Sequence, residues 1–218
     1  MIKACIFDLD GVIVDTAKYH FTAWRRLANE FGFDFTEVEN EKLKGVGRME
    51  SLELILSWGG IELSEEDKKA WASKKNDWYK ERILEMGTEE ILEGVRAFLD
   101  ELQSRNIRYA LGSASKNAAT VMKQIGLEHE FVAIIDGTKT TKGKPDPQVF
   151  QMGADALGIQ PSECIVFEDA AKGVQAALNG GFHAVGVGKP EHLGHAHFVV
   201  PNFKNLRLDT VLAGLQLS

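Results

Sequence analysis

From residue 93 to the C-terminus, short apolar runs alternate with amphipathic segments, and this alternation restricts the fold more than any other feature of the chain. The apolar runs have the length and aliphatic composition of buried strands, whereas the segments between them repeat apolar residues every three or four positions. Strands that alternate with helices are typical of a parallel sheet covered by helices on both faces. We therefore predict helices over residues 95–104, 117–125, 147–157, 171–179 and 206–215, and strands over 107–112, 132–136, 164–167, 184–187 and 198–200.

A further strand is predicted at the N-terminus, and about seventy residues with only helical periodicity separate it from the alternating region. This segment fits a small bundle of about four helices, in which Ser64 caps the longest. We predict a doubly wound α/β core domain, residues 1–15 and 88–218, with an inserted α-helical cap domain, residues 16–87. The two connections between the domains would form a hinge that lets the cap close over the core.

Two aspartates follow the predicted N-terminal strand. Asp8 and Asp10 come directly after the apolar run of residues 2–6, and Gly11 allows the chain to turn away. Open α/β sheets bind their ligands at the carboxyl ends of the strands. Because two carboxylates so close together repel each other, the pair favours a divalent cation with oxygen ligands.

Three later segments would reach the same edge of the sheet. One strand ends in Ser113, a loop carries Lys144 between glycine and proline, and another strand ends in Glu168 and Asp169. Together with Asp8, the later acids could surround a metal, while serine and lysine could hold a phosphate group. Each residue also has a simpler explanation, since Asp8 could be only a metal ligand, Asp10 a turn residue, Ser113 or Asp169 a helix cap and Lys144 a solvated lysine.

This order of motifs resembles the haloacid dehalogenase superfamily of phosphotransferases over the whole chain. Within it, four segments are similar to the substrate-binding segments of mutases that act on β-D-glucose 1-phosphate: residues 15–20, 44–51, 74–77 and 113–117. One departure is Gly47, where the family pattern has a serine; it removes no charged contact from the loop.

The resemblance implies a role for each matched residue. Asp8 would be the nucleophile, Asp10 the general acid and base, and Ser113 and Lys144 would bind the transferring phosphoryl group. One Mg²⁺ ion would be held by Asp8, Glu168, Asp169 and the backbone carbonyl of Asp10. The residues that would bind substrate are Thr16, His20, Trp24, Lys44, Gly45, Val46, Arg48, Ser51, Lys75, Asn76, Ala114, Ser115, Lys116 and Asn117.

Several of these substrate-binding assignments leave an alternative open. Arg48 offers a bidentate fork to a second phosphate, but it could instead form a surface ion pair with Glu50 or Glu53. Lys75 and Asn76 could lie on an exposed helix face rather than contact a sugar.

The implied reaction interconverts β-D-glucose 1-phosphate and glucose 6-phosphate, through phosphorylated Asp8 and β-glucose 1,6-bisphosphate, which is both activator and intermediate. A phosphatase of the same fold, hydrolysing small sugar or other phosphomonoesters, is the main alternative. A receiver-type signalling domain also phosphorylates an aspartate beside Mg²⁺, but the helical insertion and Asp10 argue against it.

Composition excludes some partners. A net charge of −7 over 218 residues, without a basic stripe, argues against nucleic acid. No apolar run is long enough to span a bilayer, and the chain enters a strand directly instead of a signal peptide. We expect a cytoplasmic monomer with a phosphorylated hexose as its partner.

Overall fold

The computed structural model describes residues 1–43 and 46–217, and the core of this described part is a six-stranded parallel sheet. The predicted strand over 132–136 shortens to two residues, and the other predicted strands agree with the structure to within two residues at each end. The strands are β1 (Ala4–Phe7), β2 (Arg108–Gly112), β3 (Ile134–Ile135), β4 (Cys164–Glu168), β5 (His183–Val187) and β6 (Phe198–Val200).

The strand order places β1 and β4 side by side at the centre of the sheet. The order is β3-β2-β1-β4-β5-β6, so the chain runs outward from β1 to β3, crosses back to β4 and then runs outward to β6. Phe7 lies opposite Phe167, so the acids that follow them, Asp8 and Glu168, end neighbouring strands at the point where the direction of winding reverses. Doubly wound sheets bind their ligands in the crevice at this reversal point.

Helices cover both faces of the sheet and also form a separate layer above its carboxyl edge. Two short 3₁₀ turns, Thr88–Glu90 and Pro161–Glu163, were not predicted. The helices are α1 (Ala17–Glu30), α2 (Glu37–Glu41), α3 (Arg48–Gly59), α4 (Glu65–Ile83), α5 (Val95–Ser104), α6 (Ala118–Gln124), α7 (Gln148–Leu157), α8 (Ala171–Asn179), α9 (Pro190–Leu193) and α10 (Leu208–Gly214).

Successive side chains of each strand enter different apolar cores. Phe7 packs in one core with residues of α5, α6 and α10, whereas its neighbour Ile6 packs in the other with residues of α7 and α8. Phe7 also stacks on Phe167 of the adjacent strand, with ring centroids 5.0 Å apart. Because a strand buried on both sides must be apolar throughout, this arrangement explains the continuous apolar runs of the sequence. The predicted doubly wound fold class is confirmed.

The inserted segment folds into four helices, α1 to α4, within the described residues. Helices α1, α3 and α4 share an apolar core that includes Trp24, Leu27 and Ile55. The predicted cap of the longest helix is confirmed, since Ser64 Oγ accepts a hydrogen bond from the backbone N–H of Asp67.

The two connections to this helical layer lie next to each other. Val14, just before the first connection, forms an antiparallel bridge with Ile91, just after the second, and the N–H of Leu92 donates to the carbonyl of Ile13 at 2.9 Å. The two connections therefore leave and re-enter the core side by side. Among the described residues, none of the helices combines the length and the apolar character that crossing a membrane would need.

Candidate active site

Three carboxylates and one ammonium group meet at the carboxyl end of β1 and β4. Oxygen atoms of Asp8, Glu168 and Asp169 all lie within 4.8 Å of one another. Lys144 Nζ lies 2.6 Å from Asp8 Oδ1 and 3.2 Å from Glu168 Oε1, and only 2% of its side chain is exposed. One ammonium group cannot balance three carboxylates, and the two remaining negative charges match one divalent cation with oxygen ligands. The predicted acidic cluster is thus formed, and its donor set fits Mg²⁺.

Burial gives these charges strong mutual effects. For Lys144, burial disfavours the charged form, but the carboxylates of Asp8 and Glu168 outweigh it and raise its pKa. For Glu168, burial followed by the charge of Asp8 raises the pKa well above its usual value. The alternative in which Lys144 is a solvated lysine is therefore wrong.

Two glycines leave the space that the carboxylates occupy. Gly11 has φ +76°, and a Cβ atom there would collide with the carboxylate of Asp169. Gly173 lies in α8, where a Cβ atom would collide with the carboxylate of Glu168. Glu168 and Asp169 can approach Asp8 because these glycines carry no side chain.

Asp10 stands apart from the acidic cluster. Its carboxylate accepts a hydrogen bond from Thr16 Oγ1, and Thr16 itself is fully buried at the start of α1. Burial, followed by the charges of Asp8 and Asp169, raises the pKa of Asp10 well above its usual value. Thr16, which we predicted to bind substrate, therefore binds the candidate acid and base in this structure.

The loop after β2 brings the predicted phosphate-binding residues next to Asp8. Ser113 is 1% exposed, and its Oγ accepts a hydrogen bond from the N–H of Ser115 at 3.1 Å. Ser115 Oγ accepts in the same way from the N–H of Asn117 at 3.2 Å. Because each oxygen accepts from the backbone, each O–H remains available to donate to a phosphoryl oxygen. Ala114 lies half-buried between the two serines, whereas Lys116 is exposed.

The cap carries a buried lysine above this edge. Lys75 is 2% exposed, and its Nζ lies 2.8 Å from His20 Nδ1 and 4.1 Å from the centre of the Trp24 ring. Burial, followed by the charge of Arg48, lowers the pKa of Lys75 well below its usual value. Burial, followed by the charge of Lys75, similarly lowers the pKa of His20. The alternative that places Lys75 on an exposed helix face is wrong.

Two contacts join the cap to the core across the cleft. Asn117 Nδ2 donates to Asn76 Oδ1 at 2.9 Å, and both side chains are buried, so Asn76 does not lie on an exposed face either. On the opposite side, Lys172 Nζ of α8 lies 2.8 Å from Glu50 Oε1 of α3. The structure therefore has the cap in contact with the core.

The loop before α3 contributes the remaining predicted residues. Arg48 is half-buried, and its suggested surface partners pair elsewhere: Glu50 with Lys172, and Glu53 with Lys68. Ser51 is buried in the first turn of α3. Val46 is half-buried, and its N–H donates to Leu43 O at 3.1 Å. Lys44 and Gly45 lie outside the described residues.

Three features of the site were missed in the sequence. Tyr79 stacks on His20 with ring centroids 4.0 Å apart, and its position one turn after Lys75 could have revealed it. The second feature is Gly173, which accommodates Glu168, and the third is the ion pair between Glu50 and Lys172. Neither has a comparable signal in the sequence, because both depend on how distant elements approach each other.

The reversal point of the sheet, the acids with their lysine and the inserted helical layer together define the class of haloacid dehalogenase-like hydrolases. The chain belongs to this family, whose pattern matches residues 2–181. The resemblance found in the sequence is thereby confirmed.

Individual relatives place the chain more narrowly. The β-phosphoglucomutase of Bacillus subtilis (strain 168) is 40% identical over 210 residues, which cover 95% of this chain and 93% of that protein. A crystal structure of β-phosphoglucomutase from Clostridium difficile superposes with a TM-score of 0.94 at 42% identity, covering 99% of this chain and 98% of that one. A phosphorylated carbohydrates phosphatase of Thermotoga maritima is 31% identical over 187 residues, covering 84% of each chain.

Proposed function

We propose that this protein interconverts β-D-glucose 1-phosphate and glucose 6-phosphate, with β-glucose 1,6-bisphosphate as activator and intermediate. The observation that carries the proposal is the position of Asp8, which is ion-paired to Lys144 within an acidic cluster beneath the cap, where Lys75 is buried and Arg48 is half-buried. The similarity to two β-phosphoglucomutases over nearly the full chain supports it.

Asp8 would act as the nucleophile. A bond forms between its carboxylate oxygen and the phosphorus atom while the bond from phosphorus to the sugar oxygen breaks, and Asp10 gives a proton to that departing oxygen. When the phosphoryl group returns to the other end of the sugar, Asp10 takes the proton of the attacking hydroxyl. Lys144 and Ser113 would hold the phosphoryl oxygens during both transfers.

Asp8, Glu168, Asp169 and the backbone carbonyl of Asp10 would hold one Mg²⁺ ion. When bound, the ion neutralises charge on the phosphoryl oxygens and orients them for in-line transfer. Lys144 alone leaves part of the negative charge of these acids unbalanced, and this excess supports the assignment.

A mutase must also hold a phosphate at the far end of its intermediate. Arg48 from the cap and Ser115, Lys116 and Asn117 from the core would bind it, so that the ligand bridges both domains. His20, Lys75 and Asn76 would contact the sugar, and Lys44, Gly45, Val46 and Ser51 would also contribute to substrate binding. Thr16 and Trp24 would act indirectly, Thr16 through Asp10 and Trp24 through Lys75.

One assay tests the reaction directly. The protein is incubated with Mg²⁺, β-D-glucose 1-phosphate and a trace of bisphosphate, and glucose 6-phosphate is compared with released phosphate. We expect glucose 6-phosphate to exceed free phosphate many-fold, with Asp8→Asn forming neither product. Normal turnover by Asp8→Asn would refute the assigned nucleophile.

A phosphatase is the second candidate, because the Thermotoga maritima relative at 31% identity carries that name. A phosphatase would release phosphate as its main product in the same assay. Arg48→Ala separates the two, since loss of the far phosphate contact should slow a mutase roughly 100-fold. A phosphatase that needs only the near phosphate should lose little.

We also propose that the protein works in the cytoplasm as a monomer without nucleic acid or membrane partners. The negative net charge supports the absence of nucleic acid. Light scattering on the protein as it elutes from a size-exclusion column tests whether it is a monomer. A measured mass twice that of one chain would contradict this part of the proposal.

A further inference from the structure

Tyr79 carries a buried hydroxyl group for which the structure provides no hydrogen-bond partner among the described residues. The side chain is 0% exposed, and its hydroxyl is one of few such buried polar atoms in that part of the chain. Leaving a buried donor unpaired costs about 1–3 kcal/mol, so the group requires an explanation.

The other two tyrosines show how this chain normally treats a phenol. Tyr19 donates to Glu90 Oε1 at 2.6 Å, and the phenol of Tyr109 lies near the carboxylate of Glu130. Packing alone does not require the Tyr79 hydroxyl either, because a phenylalanine would stack on His20 equally well.

The surroundings of the hydroxyl point to the cleft. Burial, followed by the charge of Asp10, raises the pKa of Tyr79, while contacts with the hydroxyls of Thr16 and Ser115 and the charge of Arg48 lower it. Neither of these two hydroxyls forms a hydrogen bond of normal geometry with Tyr79. The hydroxyl thus lies between hinge, cap and core, close to two side chains assigned to phosphate binding. A hydrogen bond between Asn76 and Asn117 closes this region, so a ligand can enter it only after the cap opens.

We propose that Tyr79 is a further substrate-binding residue whose hydroxyl donates a hydrogen bond to an oxygen atom of the bound sugar phosphate, between Arg48 and Ser115. The inference depends on the proposed function in one respect, namely that the cleft binds a phosphorylated sugar. It assigns the unpaired hydroxyl a partner that is present during turnover and absent from the free protein.

Tyr79→Phe removes only the hydroxyl, and Tyr109→Phe is the matched control. In the free protein we expect the melting temperature of Tyr79→Phe to equal or exceed that of the wild type, because an unpaired buried donor is lost. Its affinity for glucose 6-phosphate should fall about ten-fold, as measured by calorimetry, and KM should rise accordingly. Tyr109→Phe should bind glucose 6-phosphate like the wild type.

Inorganic phosphate identifies which ligand oxygen accepts the bond. If phosphate binding weakens in Tyr79→Phe, the acceptor is a phosphate oxygen; if only glucose 6-phosphate binding weakens, the acceptor is a sugar oxygen, and either result supports the proposal. Wild-type affinity of Tyr79→Phe for both ligands would overturn it, as would a lower melting temperature without any change in affinity. Failure of the wild type to form glucose 6-phosphate would instead refute the proposed function, since binding is measured independently of turnover.

Discussion

Lys144 Nζ lies 2.6 Å from Asp8 Oδ1 in a region from which water is almost completely excluded. The same ammonium group reaches Glu168 Oε1 at 3.2 Å, so one cation links the ends of the two central strands. The candidate nucleophile is therefore held by the group that must also neutralise the phosphoryl oxygens. The ion pair between Asp8 and Lys144 therefore contributes to the stability of the fold and to the proposed reaction, and replacing Lys144 should affect both.

Replacing Lys144 by methionine should destabilise the protein and abolish phosphoryl transfer. Removal of one partner of a buried ion pair costs about 3–5 kcal/mol, because the remaining carboxylates stay buried without a counter-charge. Urea unfolding measures this loss, and saturating Mg²⁺ should recover part of it. The control is Lys142→Met, which removes an exposed pair with Asp146 and should change stability by less than about 1 kcal/mol. Equal stability of the two variants would contradict the structural role of Lys144.

Gly173→Ala should weaken metal binding. The new Cβ atom would collide with the carboxylate of Glu168, which must then move away from Asp8. We expect the apparent affinity for Mg²⁺ to fall roughly ten-fold or more, as measured by the dependence of the melting temperature on Mg²⁺ concentration. Gly47→Ala is the control, because a Cβ atom there meets open space. If both variants bind Mg²⁺ like the wild type, Glu168 does not depend on this glycine.

The chemistry at the sheet edge could be predicted because its signals are local. Asp8 and Asp10 follow one apolar run and Glu168 and Asp169 follow another, and a parallel sheet brings the ends of such runs to one edge. The register between the strands could not be predicted in the same way. Phe7 pairs with Phe167, so Asp8 aligns with Glu168, and no local feature of the sequence indicates this alignment.

The cap face of the site was harder to predict. In the sequence of α4, Lys74 and Lys75 are indistinguishable neighbours, yet Lys74 is exposed and Lys75 is buried against His20 and Trp24. Which lysine becomes buried depends on how α1 packs on α4, and this packing has no local signature. The resemblance to a family named Lys75 rather than Lys74, whereas helical periodicity does not distinguish the two lysines.

The His20 and Lys75 pair should make stability depend on pH. The folded pKa of His20 lies well below the usual 6.5, because of burial and the charges of Lys75 and Arg48, with Tyr79 stacked on the ring. At a pH between the pKa of His20 in the folded protein and its usual pKa of 6.5, the unfolded chain binds more protons than the folded protein. Neutral His20 therefore makes its full contribution to the free energy of unfolding above pH 6.5, and this contribution is lost as the pH falls towards the pKa of the folded protein.

The test compares unfolding free energies of wild type and His20→Asn at pH 7 and pH 5. The wild type should lose up to about 2 kcal/mol more than the variant over this range, since one pH unit below the usual pKa is worth about 1.4 kcal/mol per proton. His129→Asn serves as control, because this histidine is 92% exposed and should leave the wild-type pH dependence unchanged. An identical loss in wild type and His20→Asn would show that His20 is readily protonated in the folded state.

The ion pair between Glu50 and Lys172 should favour the closed cap. It joins α3 of the cap to α8 of the core, and its side chains are 56% and 43% exposed, so it contributes at most about 1 kcal/mol. A contribution of this size is small for folding, but it changes the ratio of closed to open protein about two- to five-fold. Because a closed cap keeps water away from phosphorylated Asp8, Glu50→Gln should raise phosphate release relative to glucose 6-phosphate formation by a similar factor.

Salt and a charge swap separate this effect from a general disturbance of the cap. High salt screens exposed pairs, so the difference between Glu50→Gln and wild type should shrink at 0.5 M NaCl, a concentration of roughly three times the physiological ionic strength. The double variant Glu50→Lys with Lys172→Glu should restore the wild-type product ratio. Glu53→Gln removes a pair with Lys68 that lies wholly within the cap, and it should leave the ratio unchanged. If Glu53→Gln raised phosphate release as much as Glu50→Gln, the integrity of the cap rather than a contact across the cleft would control hydrolysis.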